Sequence, residues 1–253
     1  MKMDGMAAIV TGGASGLGGA TVDALAAAGA RVAVFDRDAE QGQAKADAVG
    51  GVFCKVDVTD ETDVEEALAK AEGMHGKARI LVNCAGIGPP TKVVDREGRA
   101  APLAGFKQVI DVNLNGSFNV LSKFAAALHK AAPVGEERGV IINTASVAAY
   151  DGQIGQAAYS ASKSGVVGMT LPVARELARY GIRVMTIAPG LFLTPLLMTL
   201  SDEVRASLGA QAPFPSRLGD PAEFGHLARS IVENPMLNGE TIRLDGAIRM
   251  AAK

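Results

Sequence analysis

Seven short apolar runs, separated by intervals too long for hairpins, limit what this chain can fold into more than any other feature. They lie at Met6–Val10, Arg31–Phe35, Val52–Val56, Ile80–Asn83, Val140–Thr144, Arg183–Ile187 and Thr241–Leu244. The runs are rich in Val and Ile and apolar on both faces, which is typical of strands in a parallel sheet that helices cover on each side. Each strand is therefore expected to lead to the next through a helix.

The segments between the runs carry helix signals. Three predicted helices precede a glycine that suits the left-handed conformation often found at a helix end: Gly16–Ala28 before Gly29, Asp38–Val49 before Gly50, and Asp63–Glu72 before Gly73. Asp220–Glu223 adds a capping box with Pro221 in the first turn. This alternation predicts an α/β fold, a Rossmann-type doubly wound seven-stranded parallel sheet with helices on both faces, in a single domain over residues 1–253.

Composition argues against several classes of partner. The 253 residues include 25 basic and 27 acidic side chains, a net charge of -2, and no Trp among only 4% aromatics. The balanced charge gives no electrostatic attraction to nucleic acid or an anionic membrane, and few rings are available for base stacking. A chain of this length also buries a large core and needs no metal or disulfide to fold.

Cysteines and apolar segments bear on the cellular location. Cys54 and Cys84 form no CxxC or Cys/His cluster, which fits a reducing compartment, and the histidines share no ligand spacing, so no metal site is expected. Met1–Val10 is too short for the apolar region of a signal peptide. Val184–Ser201 is interrupted by prolines and a glycine, whereas a membrane span needs about 20 apolar residues. We therefore expect a cytoplasmic protein without a membrane span.

A glycine-rich turn, TGGASGLG, leads from the first strand into the first helix. Glycine allows a tight turn and lets backbone N–H groups approach a pyrophosphate, whose charge is favoured at a helix N-terminus. A plain tight turn is the alternative interpretation. The candidate cofactor-binding residues of this turn are Gly12, Ser15, Gly16, Leu17 and Gly18.

An acidic residue at the end of the second strand strengthens the dinucleotide interpretation. The Asp36 carboxylate can bind both hydroxyls of an adenosine ribose and repel a 2′-phosphate, which favours NAD. The neighbouring Arg37 could instead contact such a phosphate, so use of NADP stays open, as does a solvated Asp–Arg pair. Asp57 and Val58, after the third strand, are expected beside the adenine edge.

A third constellation, Ser146 with Tyr159-x-x-x-Lys163, predicts acid–base chemistry. The Tyr and Lys are i, i+4 on a predicted helix over Ala157–Tyr180 and share one face. Lowering the pKa of a Tyr from ~10 toward neutrality needs about 4 kcal/mol. A positive charge at roughly 4.5 Å supplies about 3.7 kcal/mol at an effective dielectric of ~20. Lys163, helped by a positive nicotinamide ring, would thus make Tyr159 a general base while Ser146 holds the substrate oxygen. The alternative is a solvated helix face.

Two loops after strand ends exceed ordinary connection lengths, Gly88–Gly105 and Ala188–Ser201. Ligands of open α/β sheets bind at that edge, so both loops are expected to be functional. Within the second loop, the apolar run Leu191–Met198 is a candidate lid over a hydrophobic substrate, with Pro189-Gly190 as a hinge. A buried structural loop or a subunit contact is the alternative.

The sequence resembles the classical short-chain dehydrogenase/reductase family over nearly its whole length. The glycine turn, Asn83-Cys84-Ala85-Gly86, Asn113, Ser146, Tyr159-x-x-x-Lys163 and Pro189-Gly190 occur in the family's order. The resemblance implies cofactor contacts from Asn83, Ala85, Gly86, Pro189, Gly190 and Thr194, the last at the carboxamide. It also implies that Asn113 kinks its helix and holds a proton-relay water, and that Lys163 binds the nicotinamide ribose. Cys84 replaces the commoner second Asn of the motif.

Within that family, segments such as RGVIINTASVAAY and PFPSRLGDPAE resemble a subgroup, the type 2 (short-chain) 3-hydroxyacyl-CoA dehydrogenases. The subgroup implies NAD-dependent interconversion of (S)-3-hydroxyacyl-CoA and 3-oxoacyl-CoA in fatty-acid or branched-chain acyl oxidation. Alternatives are an NADPH-dependent 3-oxoacyl-carrier-protein reductase, a hydroxysteroid dehydrogenase or another enzyme of a hydrophobic alcohol, and a non-catalytic dinucleotide-sensing scaffold. Gly165 and Gly168 suit the helix-paired homotetramers common in the family, although packing within one chain would also explain them.

Overall fold

One sheet of seven parallel strands spans the chain in the order β3-β2-β1-β4-β5-β6-β7. The computed structural model describes residues 1–252, without the side chain of Leu196. The strands are β1 (Ala7–Thr11), β2 (Arg31–Asp36), β3 (Val52–Lys55), β4 (Ala78–Asn83), β5 (Gly139–Thr144), β6 (Ile182–Pro189) and β7 (Thr241–Leu244). The strand order reverses between β1 and β4, which opens a crevice at their carboxyl ends where ligands of such sheets bind.

The described helices cover both faces of this sheet. They are α1 (Gly16–Ala27), α2 (Ala39–Ala48), α3 (Glu61–His75), α4 (Leu103–Ile110), α5 (Gly116–Leu128), α6 (Ala157–Ala178), α7 (Pro195–Met198), α8 (Asp202–Gly209) and α9 (Pro221–Glu233). Buried side chains of α1, α2 and α9 pack on one face, and those of α3, α5 and α6 pack on the other. Among the helices of residues 1–252, none is long and apolar enough to cross a membrane.

The continuous apolar runs are explained by burial on both faces. In β1, Val10 faces the core under α1 and α9, while the adjacent Ile9 faces the core under α5. Both are at most 1% exposed. Each such side chain contributes about 1.5–3 kcal/mol by leaving water, so the alternation of faces holds two helical layers to one sheet.

Helix ends follow the predicted signals with one exception. Gly29 and Gly50 have φ angles of 88° and 63° at the ends of α1 and α2, and Asp220 forms the full capping box of α9. The prediction that Gly73 ends α3 is wrong, because the helix continues to His75 and it is Gly76 that follows with a positive φ of 79°. A glycine inside a helix costs only about 1 kcal/mol, which packing of α3 against the sheet outweighs.

Candidate active site

The glycine turn between β1 and α1 has no room for side chains at the two ends of its cradle. Gly12 has φ 63°, and a Cβ there would lie 2.7 Å from the backbone nitrogen of Ala85. A Cβ at Gly18 would overlap the carbonyl oxygen of Gly12. Ser15 caps α1 without using its side chain, and Leu17 lies in the first helical turn. The bare backbone at the N-terminus of α1 therefore fits a pyrophosphate.

The Asp36 carboxylate is held firmly beside this cradle. One oxygen accepts a hydrogen bond from the backbone N–H of Ala14 at 3.0 Å, and the other accepts one from Asp38 at 3.0 Å. The exposed Arg37 turns instead toward Asp57, with 3.7 Å between Nε and Oδ2. Hydrogen bonds from Thr59 hold the pKa of the Asp57 carboxyl below its usual value. Asp36 thus faces the cradle, while Arg37 pairs with another carboxylate.

Val58 and Asn83 join the cradle to neighbouring elements. Val58 is buried, and a Cβ at Gly116 of α5 would lie 2.6 Å from its side chain. Asn83 Oδ1 accepts a hydrogen bond from Thr11 Oγ1 at 3.4 Å, and its Nδ2 donates to Asn143 Oδ1 at 3.0 Å. These three polar residues occupy one register row of β1, β4 and β5. The row connects the cradle to β5, the strand that leads to the predicted catalytic residue Ser146.

Thr11 also fixes the backbone after β4. Its Oγ1 accepts hydrogen bonds from the N–H groups of Cys84 and Ala85, both at 3.2 Å. Sequence reasoning missed Thr11 and Asn143. The available signal was a polar side chain in the last positions of an otherwise apolar strand, but its partners belong to other strands and cannot be read from local sequence.

Asn113 lies at a widened helical turn. A π-helical segment, Asp111–Asn115, separates α4 from α5, in agreement with the expected distortion. The fully buried side chain accepts from Ile87 N–H at 2.8 Å and donates to Ile87 O at 2.8 Å and Ser162 Oγ at 2.9 Å. Asn113 therefore clamps the chain after Gly86 to α6, the helix of the predicted catalytic pair, and the water assigned to Asn113 stays a prediction.

Tyr159 and Lys163 share one face of α6 as predicted. The ammonium lies 5.8 Å from the centre of the Tyr159 ring and donates a hydrogen bond to Thr144 O at 2.7 Å. Ser146 follows β5, caps a short 3₁₀ turn and accepts from Ala148 N–H at 3.1 Å. Opposite them, a Cβ at Gly86 would lie 3.4 Å from the ammonium nitrogen. The three predicted catalytic side chains therefore meet beside the chain that follows β4.

Burial dominates the electrostatics of this pair. It lowers the pKa of Lys163 to about 8 and raises the pKa of Tyr159, which a hydrogen bond with Ser146 opposes. Within the protein itself, burial therefore has the larger effect on the pKa of Tyr159, and the lowering expected from Lys163 together with the nicotinamide ring stays a prediction. Removal of the phenol from water favours its neutral form.

The loop after β6 divides into two parts. Leu191 O and Leu193 N–H form hydrogen bonds with Gly219, and the Phe192 ring is 6% exposed within the core. Gly190 is pinned as well, because its N–H donates to Leu244 O at 2.9 Å and a Cβ there would lie 2.9 Å from Asp245 Cα. These contacts hold Pro189-Gly190 against β7, so Leu191–Leu193 follows the structural alternative, and the hinge stays a prediction.

The second part of the loop lies over the cradle. A Cβ at Gly16 would lie 3.8 Å from the Thr194 methyl group and 3.5 Å from Pro195 Cδ, at the start of α7. Met198 at the end of α7 is 58% exposed, and the side chain of Leu196 lies outside the described residues. Thr194 thus reaches the predicted cofactor site, and the lid interpretation stays a prediction for α7 rather than for the whole run.

The fold and this constellation define the class of protein. A family model described as short chain dehydrogenase matches residues 6–205, from the first strand through α6 into α8. The chain therefore belongs to the short-chain dehydrogenase family, which makes it an oxidoreductase. Within the part of the chain that the structure describes, no three His, Cys, Asp or Glu side chains are grouped to hold a metal ion.

Individual relatives narrow the comparison. The chain is 56% identical over 253 residues to the 3-hydroxyacyl-CoA dehydrogenase type-2 of Homo sapiens, which covers 98% of this chain and 97% of that protein. The crystal structure of 3-hydroxyacyl-CoA dehydrogenase type-2 from Mycobacterium avium matches with a TM-score of 0.95 at 45% identity, covering 98% of both chains. The 3-ketoacyl-(acyl-carrier-protein) reductase from Brucella melitensis, complexed with NADH, matches with a TM-score of 0.87 at 30% identity, covering 98% of this chain and 100% of that one.

Proposed function

We propose that this protein is an NAD-dependent dehydrogenase that interconverts (S)-3-hydroxyacyl-CoA and 3-oxoacyl-CoA. The observation that carries the proposal is the buried Lys163, held by Thr144 O beside Tyr159 and facing the glycine cradle across Gly86. The names of the relatives in Homo sapiens and Mycobacterium avium support the substrate class. When bound, the nicotinamide ring supplies hydride transfer to or from the carbinol carbon.

The protein's own side chains supply the proton transfer. Tyr159 takes the proton of the substrate hydroxyl during oxidation and returns it during reduction. Ser146 holds the substrate oxygen, and its hydrogen bond lowers the pKa of Tyr159 against the effect of burial. Lys163 keeps a positive charge beside the phenol and has N–H donors left for the ribose after binding Thr144 O. Asn113 holds the backbone that faces them and would hold the relay water.

NAD rather than NADP is the proposed cofactor because of the carboxylate at the cradle. Asp36 would face the 2′-phosphate of NADP, whereas Arg37 is drawn toward Asp57. The proposed cofactor-binding residues are Gly12, Ser15, Gly16, Leu17, Gly18, Asp36, Asp57, Val58, Asn83, Ala85, Gly86, Tyr159, Lys163, Pro189, Gly190 and Thr194. The rigid hydrogen bonds of Asp36 support a site that is shaped before the cofactor binds.

One substrate panel tests this function. Initial rates are measured with NAD and NADP for 3-hydroxybutyryl-CoA, longer 3-hydroxyacyl-CoA thioesters, an acyl-carrier-protein thioester and a hydroxysteroid. We expect the highest kcat/KM with NAD and a CoA thioester. A preference for NADPH and the carrier-protein thioester would identify a reductase, and a preference for the steroid would identify a steroid dehydrogenase. The absence of turnover with all of them would favour a sensing scaffold.

The oligomeric state and the cellular location are also proposals. We infer one domain over residues 1–253, a homotetramer and a cytoplasmic location. Phe106 on α4 and Phe118 on α5 are 41% and 54% exposed, which supports contact between copies. Gly168 has open space around it, whereas Gly165 packs against Leu114 of its own chain, so only Gly168 is free for a neighbour. The free cysteines fit a reducing compartment.

A further inference from the structure

The loop of residues 147–156 joins two predicted catalytic side chains, because it follows Ser146 and leads into the helix that carries Tyr159. It lies closely against the first turn of that helix, where a Cβ on Gly152 would overlap Ser160 Oγ. A shift of this loop would therefore move Ser146 relative to Tyr159.

Arg243 of β7 holds the middle of this loop. Its Nη2 donates to Asp151 Oδ2 at 2.8 Å, and its guanidinium carbon lies 5.1 Å from the centre of the Tyr150 ring. The side chains of Arg243 and Asp151 are only 22% and 20% exposed. A charge-assisted hydrogen bond in such a partly buried position is stronger than an ion pair in open solvent.

The same guanidinium reaches two further segments. Its Nε donates to Asp245 Oδ2 at 2.8 Å, and its Nη2 also donates to Ile248 O at 2.9 Å. Asp245 lies against Gly190 of the proposed cofactor site, where a Cβ would lie 2.9 Å from Asp245 Cα. Burial lowers the pKa of Arg243, but hydrogen bonds with Asp151 and Asp245 outweigh this effect and raise it. Arg243 thus joins the loop to the chain beside the cofactor site.

The C-terminal segment gives this guanidinium a second route to the loop. Beyond Ile248 the chain returns to the loop, where Ala252 O accepts from Ile154 N–H at 3.0 Å. One residue earlier, Ala251 O accepts from Gln153 Nε2 at 3.1 Å. The direct route and the route through the C-terminal segment therefore start from one side chain.

We propose that Arg243 is a positioning residue for the reaction. It fixes the loop of residues 147–156, and thereby Ser146 and Tyr159, relative to the cofactor site. The inference rests on the proposed function. A guanidinium suits this role because its planar fork binds several acceptors in fixed directions, which the ammonium of a lysine does not. Misplacement of reacting groups by about 1 Å costs up to about a hundredfold in rate.

Hydrogen exchange tests the positioning without cofactor or substrate. Arg243→Gln removes the charge and the fork, so amides of residues 147–156 should exchange at least about tenfold faster in the protein alone, because local opening becomes easier. Amides of β1 and α1 should keep their wild-type rates. Unchanged exchange in the loop would overturn the proposal.

Single-turnover kinetics test the consequence for the reaction. Enzyme with bound NADH, in excess over acetoacetyl-CoA, gives the rate constant of reduction, and deuterium at the transferred hydrogen identifies the hydride step. Arg243→Gln should lower this rate constant about tenfold to hundredfold and leave the Kd of NADH within about twofold. Destabilisation alone would reduce the amount of active enzyme but not the rate constant. A rate constant within about twofold of the wild type would overturn the proposal.

A second variant cuts the contact from the other side. Asp151→Asn leaves the remaining hydrogen bonds of the guanidinium in place, so it carries both tests if Arg243→Gln does not fold. It should also speed exchange in the loop and lower the rate constant. The double variant should lose no more than Arg243→Gln alone, because both changes remove one shared contact. Fully additive losses would contradict that contact.

Arg217→Gln is the matched control, because the Arg217 guanidinium pairs with Glu223 at 2.7 Å, outside the loop. It should leave the exchange and the rate constant unchanged, and losses equal to those of Arg243→Gln would overturn the assignment to Arg243. No turnover of any acyl-CoA thioester by the wild type would overturn the proposed function. The exchange experiment would then still decide whether Arg243 holds the loop.

Discussion

The buried ammonium of Lys163 organises the proposed catalytic pair. A buried charge is costly unless it is hydrogen-bonded, and Thr144 O meets this need at 2.7 Å. Burial still lowers the pKa of Lys163 to about 8, because removal from water disfavours the charged form. Interactions with the surrounding groups must therefore offset part of this cost if Lys163 is to stay charged. The last residue of β5 thus holds Lys163, and Lys163 in turn holds a charge 5.8 Å from the centre of the Tyr159 ring.

Removal of the Tyr159 hydroxyl should abolish most turnover without unfolding the protein. Tyr159→Phe keeps the ring that packs against Gly88 and deletes only the acid–base group, so we expect a loss of about 10²–10⁴-fold in kcat. Initial-rate assays measure kcat, thermal unfolding measures stability, and NAD titration measures cofactor affinity. Lys163→Ala should reduce both rate and NAD affinity. A Tyr159→Phe rate above about a tenth of the wild-type rate would exclude Tyr159 as the base.

The pH profile should report the hydrogen bond between Ser146 and Tyr159. That bond favours the phenolate and lowers the pKa of Tyr159, so Ser146→Ala should raise this pKa. Oxidation needs the phenolate, and the rising limb of log kcat/KM against pH should therefore move to higher pH. Ser146→Thr retains a hydroxyl and serves as the control. A limb that stays in place, or moves to lower pH, in Ser146→Ala would contradict the assignment.

Cofactor preference should depend on Asp36 and little on Arg37. Asp36→Ala removes the negative charge at the cradle, so the ratio of kcat/KM for NAD over NADP should fall at least about tenfold, or 1.4 kcal/mol. Arg37→Ala is the control, because its side chain is 70% exposed and directed toward Asp57. Both ratios come from initial rates with each cofactor. A wild-type preference for NADP that Asp36→Ala leaves unchanged would assign the choice to Arg37.

At the scale of elements, the loop after β6 combines a fixed part with a covering helix. Leu191–Leu193 pairs with Gly219 as part of the structural core, while α7 lies over the cradle at Gly16. A helix this short gains little stability from its own hydrogen bonds, so its position depends on what it packs against. We therefore expect α7, rather than Leu191–Leu193, to respond to a bound acyl chain.

Substrate chain length should reveal whether α7 covers the acyl group. We expect kcat/KM to rise as the 3-hydroxyacyl chain lengthens from four carbons, by up to about 0.8 kcal/mol per buried methylene until the pocket is full. Leu197→Ala should flatten this rise and leave NAD affinity unchanged. Met198→Ala, at a more exposed position, is the control and should leave the rise in place. The readout is kcat/KM across a chain-length series. A flat wild-type series would refute the lid.

At the scale of the whole molecule, exposed aromatic rings on α4 and α5 predict association between copies. Phe118→Asp places a charge in that surface and should weaken the proposed tetramer by about 2 kcal/mol or more, which is roughly thirtyfold. Phe214→Asp is the matched control, because Phe214 is 83% exposed but lies near the C-terminal segment. Light scattering after size-exclusion chromatography gives the masses. A monomeric wild type, or a Phe118→Asp variant that stays tetrameric, would refute this interface.

The fold class and the location of the site follow from local patterns in the sequence. The β7 range Thr241–Leu244 and the capping box at Asp220 were predicted as observed, because apolar runs and helix caps act over a few neighbouring residues. The same holds for the shared helix face of Tyr159 and Lys163, which is a consequence of helical periodicity.

Only the tertiary structure decided the features that depend on distant residues. Asn143 joins the site because β5 pairs with β4 in one register, and Gly165 packs within its own chain because Leu114 lies against it. The raised pKa of Tyr159 has the same origin, since burial by several separate elements sets it. The sequence alone determined which groups are proposed to carry the chemistry, because residue type and short-range spacing are local. The structure determined their partners, burial and pKa values, because these arise only when the sheet brings remote segments together.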